Sequence, residues 1–223
     1  MYRRLDGARI VETLERLRQR IAERFPGSGL ERVSGDLLGA ASESMARLRD
    51  LRRPNVPLRI ATWALIAIIV FVAAEALLHL RLAPRWDEFA GFLQSSQAIQ
   101  NVVFLGLAVL FLANVETRIK RRPALAALHE LRSIAHIVDM HQVTKDPVTF
   151  LAQGTMTRFE LSRYLDYCSE LLSLTSKVAA LYVQDSQDPV LLDAVNDVET
   201  LTTGLSRKIW QKIMILDTLE KSQ

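Results

Sequence analysis

The chain has 223 residues, 49% hydrophobic and 24% charged, with a formal net charge of +3. Nine glycines and seven prolines are few for this length and gather at segment ends, which argues against a turn-rich β fold, and a single cysteine, Cys168, excludes an intramolecular disulfide. Residues 1–59 carry 13 basic and 8 acidic side chains while residues 123–223 carry 9 and 13, so the positive charge lies beside the apolar segments and does not point to nucleic acid.

The first predicted element is an amphipathic helix. Ile10, Val11, Leu14, Leu17, Ile21 and Phe25 recur at helical spacing, with arginines and glutamates on the other faces. It stops at Pro26-Gly27-Ser28-Gly29, and a second periodic stretch runs from Leu30 through Val33, Leu37, Ala41 and Leu48 towards Pro54. This arm, residues 1–56, fits two readings: a helix on anionic lipid through its arginines, or one packed on protein, with i,i+4 pairs on its outer face. No short apolar stretch with a cleavage site starts the chain, and Asp6, Glu12, Glu15 and Glu23 argue against a mitochondrial presequence.

The run Leu58 to Leu80 exceeds the ~20 apolar residues needed to cross a hydrocarbon core, and Ala98 to Val115 is a second, slightly shorter run. These predict transmembrane helices over 57–81 and 98–117, joined by an external loop over 82–97. Arg52, Arg53 and Arg59 before the first span and Arg118, Lys120, Arg121 and Arg122 after the second outweigh Arg81 and Arg85 in the loop. The positive-inside rule therefore places both termini in the cytoplasm, with Trp86, Phe89 and Phe92 at the outer interface. Within the spans Glu75 requires a partner, and helical rise puts it roughly level with Gln100 and Asn101, while Asn114 marks the inner end. A structural hydrogen bond accounts for Glu75 better than a channel or transporter site, because a pore needs a longer polar stripe.

Residues 118–223 are expected to form a cytosolic antiparallel helical bundle. Pro123 suits a first helical turn, and the segment stays helix-compatible until Val143-Thr144-Lys145-Asp146-Pro147. Thr157 and Glu160 have capping-box spacing for a second helix ending near Asp185. Asp188 and Pro189 open a third, whose apolar positions from Leu191 to Leu219 step by three and four, as in coiled-coil packing. That helix is longer than the first can cover, which predicts that its far end packs on the N-terminal arm or on another subunit, as in a homo-oligomer.

The densest chemistry lies on the first of these helices. His129, Arg132, His136 and Asp139 follow at three- and four-residue steps, with His141 beyond, opposite Leu128, Leu131, Ala135 and Val138. His129 and His136 are two turns apart and cannot share a metal ion from one helix. No HExxH, CxxC or glycine-rich phosphate loop is present, so no metal, cofactor or catalytic residue is assigned and an enzyme is disfavoured. The sequence thus reads as an all-α membrane protein: a two-helix hairpin in the cytoplasmic (inner) membrane, carrying a bundle that binds itself, a membrane protein or a cytosolic protein. The competing reading is a ligand sensor or enzyme that uses the His129 to His141 stripe.

Overall fold

In the computed structural model, which describes residues 4–52, 56–82, 96–152 and 154–221, the regular structure is entirely helical, with no strand among the described residues. Asp6 opens α1 (Gly7–Arg24) by accepting hydrogen bonds from the amides of Ala8 and Arg9, so two donors at the helix start are satisfied. Helix α1 ends where the Phe25 amide closes on the Ile21 carbonyl at 2.8 Å, and Gly27, with φ of 70°, turns the chain in a conformation other side chains resist. Helix α2 (Gly29–Arg52) follows at once. Ser28 Oγ accepts from the Glu31 amide at 3.2 Å, and Glu31 reaches back to accept from the Gly27 amide at 2.6 Å.

Two compact units are present. The first combines Met1–Arg52 with Arg121–Gln223. Its C-terminal part holds the end of α5 (Val115–Val143), a short α6 (Pro147–Ala152), α7 (Arg158–Ala180) and α8 (Pro189–Lys221). Helix α7 is the hub, in contact with α1, α2 and α8. Leu161, Leu165, Leu171 and Leu172 of α7 are fully buried, as are Leu14, Leu17 and Ile21 of α1 and Leu30 and Leu37 of α2. Each such leucine stabilises the fold by about 1.5–3 kcal/mol relative to exposure. Phe25 fixes the α1–α2 turn on α7, edge-on to Tyr164 with centroids 5.4 Å apart and to Tyr167 at 6.2 Å. The arm's apolar stripe is therefore core, not a lipid-facing surface.

The start signals read from sequence operate as expected. Thr157 and Glu160 form the complete capping box of α7, and Asp188 Oδ1 accepts from the Val190 amide at 3.0 Å to cap α8. Three features differ. Helix α5 starts at Val115 and runs through Pro123, so the proline sits inside a helix instead of opening one. Helix α7 stops at Ala180, because Leu181, Tyr182 and Val183 bond three residues back instead of four, although Leu181 and Tyr182 continue the buried pattern. The far end of α8 finds partners within the chain: Lys212 Nζ donates to the Gln142 carbonyl at 2.6 Å and Arg158 donates to the Leu216 carbonyl. These contacts hold the far end of α8 as far as Leu216 against the chain's own helices.

The second unit spans Arg53–Lys120 and contains α3 (Val56–Leu82), α4 (Ser96–Ala113) and the first residues of α5. Helices α3 and α4 touch each other. Among the described residues one helix is long and apolar enough to cross a membrane: an 18-residue window within Gly29–Phe71 has a mean hydropathy of 1.6 and is not buried at all. Ile60, Trp63, Ile68 and Phe71 are all at least 60% exposed, and so is Phe104 of α4. The loop with Arg85, Trp86, Phe89 and Phe92, the residue Arg53, and the side chains of Arg52, Glu75, Arg81, Gln100 and Asn101 lie outside the described residues.

Candidate functional site

The polar stripe of α5 is positioned by the apolar face behind it: Leu128, Leu131, Ala135 and Val138 are buried, which turns His129, Arg132 and His136 outward to solvent. Asp139 and His141 are half-buried. Asp139 Oδ1 accepts from Gln142 Nε2 at 2.5 Å and so holds a buried amide, and does not reach towards a histidine. The five residues therefore do not converge. His129, Arg132 and His136 form an open donor and acceptor face, whereas Asp139 and His141 belong to contacts within the bundle. Among the described residues no three His, Cys, Asp or Glu side chains are grouped as a metal site.

A group that sequence reasoning missed lies at the end of α5. Gln142 is 1% exposed, its carbonyl accepts from Lys212 Nζ, and its own Oε1 is buried without a hydrogen-bond partner. Lys145 Nζ stands 4.0 Å from the Phe150 ring centroid and 5.4 Å from that of Tyr164, a cation between two π faces. Burial lowers the pKa of both lysines, and it raises that of the Tyr164 hydroxyl. Cys168 sits in the same region; burial pushes its thiol up to about 12, so it is protonated and unreactive at neutral pH. The only sequence signals were Lys145 in the break after α5 and Lys212 next to the buried Ile213.

Of the basic residues that flank the apolar runs, Arg59, Arg118 and Arg122 are exposed and Lys120 is half-buried. Arg118 lies 5.0 Å from the Phe111 ring centroid. Arg121 instead enters the bundle: its Nε lies 2.7 Å from Asp188 Oδ2, on a side chain 3% exposed. Asn114, between α4 and α5, is exposed and donates from Nδ2 to the Leu110 carbonyl at 2.8 Å.

A hollow of about 860 Å³ in the bundle runs between the start of α1, α7 and α8. Asp6, Arg9, Asp166 and Lys177 line it, with Trp210, 55% exposed, on one lip. One turn on, Met214 is 65% exposed, and on α5 Met140 is 69% exposed. Burial raises the Asp166 carboxyl pKa against the opposing pull of Arg163. This surface offers an apolar anchor among charged groups, and Lys177 Nζ donates to Ser173 Oγ at 2.6 Å on its wall. No protein-family model, curated protein or solved structure matches the chain.

Proposed function

We propose that the chain is a two-pass inner-membrane protein whose bundle is a cytoplasmic interaction module without catalytic activity of its own. One observation carries the reading: a single core is built from residues on both sides of the apolar unit, Met1–Arg52 and Arg121–Gln223. A core cannot straddle a bilayer, because its buried leucines must touch one another. Any insertion of the apolar unit must therefore cross the membrane an even number of times, with α3 and α4 as the two spans. Lipid would cover the apolar side chains that both helices leave exposed. The surplus of arginine and lysine at the two inner ends supports a cytoplasmic bundle.

On the bundle, exposed Trp210, Met214 and Met140 supply anchors of the kind that helical partners bury, and His129, Arg132 and His136 supply polar contacts nearby in sequence to Met140. The partner is a second copy or another membrane or cytosolic protein. Reporter fusions test the topology: a cytoplasmic reporter after Gln223 is expected to be active, and an external one inside 83–95 likewise. Export of the Gln223 reporter, or a wild-type chain that stays in water without detergent, would refute it. Cross-linking in native membranes tests the module: discrete species lost in Trp210→Ala support it, and a monomer free of partners overturns it.

A further inference from the structure

We propose that His141 makes the seating of α2 on α5 sensitive to pH: protonation of its imidazole loosens the α1–α2 hairpin from the C-terminal helices. The inference goes beyond the membrane reading and does not depend on it. Its basis is the contact between the ring and Gly29, the first residue of α2. A Cβ at Gly29 would lie 2.1 Å from His141 Cε1 and about as close as 2.9 Å to Nε2, so the imidazole rests directly on the helix backbone. Glycine is required here by proximity, not by its backbone angles.

That seat suits a neutral ring. The start of α2 carries the partial positive charge of a helix N-terminus, and Arg32, one turn further on, adds a full charge from the same helix. Lys145 adds another from the segment after α5. Acids on these elements are committed elsewhere: Glu31 accepts from the Gly27 amide at 2.6 Å, Asp139 from Gln142 at 2.5 Å, and Asp146 acts on Lys212. Residues 25–28, which form the α1–α2 turn, bear no charge, and from α7 Tyr164 presents its ring to Lys145. Lys212, bonded to the Gln142 carbonyl, is of the same sign as the imidazolium and gives it no relief.

Half-burial first, then Arg32 and Lys145, lower the imidazole pKa below the ordinary 6.5. The opened hairpin therefore takes up a proton more readily than the closed one. The contact has its full strength above pH 6.5 and weakens as pH falls through 6.5 towards the lowered value.

Hydrogen exchange of the full chain in nanodiscs, corrected for the intrinsic pH effect, is compared at about pH 7.5 and about pH 5.5. Amides of residues 27–32 are expected to lose protection in the acidic sample of the wild type and to keep it in His141→Asn, which cannot be protonated. Unchanged protection in the wild type, or an equal loss in the variant, overturns the proposal. If His141→Asn does not fold, the ring proton shifts of wild-type His141 decide: it is expected to titrate below the ordinary 6.5. A midpoint at or above 6.5 overturns it.

Discussion

Asp188 does two things at once, and substitution separates them. Its Oδ1 caps α8 by accepting from the Val190 amide, and its Oδ2 pairs with Arg121 at 2.7 Å. Asparagine caps a helix as well as aspartate, so Asp188→Asn removes only the ion pair, whereas Asp188→Ala removes both and costs about 1 kcal/mol more for the lost cap. The pair itself lies between two limits. A surface bridge contributes about 0–1 kcal/mol, and breaking a buried one costs about 3–5 kcal/mol. With Arg121 32% exposed and Asp188 3% exposed, removal of the acid leaves a guanidinium that water reaches, and about 1–2 kcal/mol is expected. Removal of the base instead strands a carboxylate with little access to water, so Arg121→Gln is expected to cost more, about 2–3 kcal/mol. Urea unfolding of the bundle in nanodiscs, followed by hydrogen exchange of amides 190–192, measures both effects. If Arg121→Gln proves milder than Asp188→Asn, the argument from unequal burial is refuted.

Three further outcomes follow from the same core. Leu14→Ala is expected to destabilise the bundle by about 2–5 kcal/mol, because Leu14 is fully buried; an arm lying on lipid would leave the unfolding midpoint unchanged. The Glu160 carboxyl accepts from the Thr157 amide, which holds its pKa below the ordinary 4.5, so its contribution is present above pH 4.5 and lost as pH falls below it. Exchange at the start of α7 should rise in acid in the wild type and show a smaller rise in Glu160→Gln. Cys168, buried and with its thiol raised, is expected to resist maleimide at neutral pH in the folded chain and to react once the chain is unfolded.

Local signals were legible in the sequence because their causes are local. Asp188 before Pro189, Thr157 three residues before Glu160, and the apolar steps of α1, α7 and α8 each act within a turn or two. The Pro123 boundary was misread because a proline tolerated inside a helix and one opening it look alike in sequence. The α7 terminus was misread because Leu181 and Tyr182 stay buried after the hydrogen bonds tighten. The polar stripe was visible as a pattern, but its division was not. What separates solvent-facing His136 from half-buried His141 is the approach of Gly29, and what ties Lys212 to Gln142 is a contact 70 residues away in sequence. Helical periodicity carries no information about which distant backbone arrives at a given face.

The same distance gives the outer face of the arm a physical role. Arg20 of α1 pairs with Glu170 of α7 across 150 residues, so α1 and α2 are made long before the helix that completes their core. At roughly 5–20 residues per second, synthesis leaves that hairpin waiting for on the order of ten seconds or more. In that interval Leu14, Leu17 and Leu37 have only the other apolar residues of α1, α2 and their turn to cover them, with α3 following immediately behind. Pairs such as Glu12 with Arg16 and Glu43 with Arg47 lie within single helices, so they form without α7. Each contributes only a few tenths of a kcal/mol, too little to matter in the finished bundle, yet together they favour helix and keep the outer faces charged while the inner ones are unpaired. Arg47 also reaches Glu130 at 3.4 Å, so a charge that first supports the isolated hairpin is later used to receive α5.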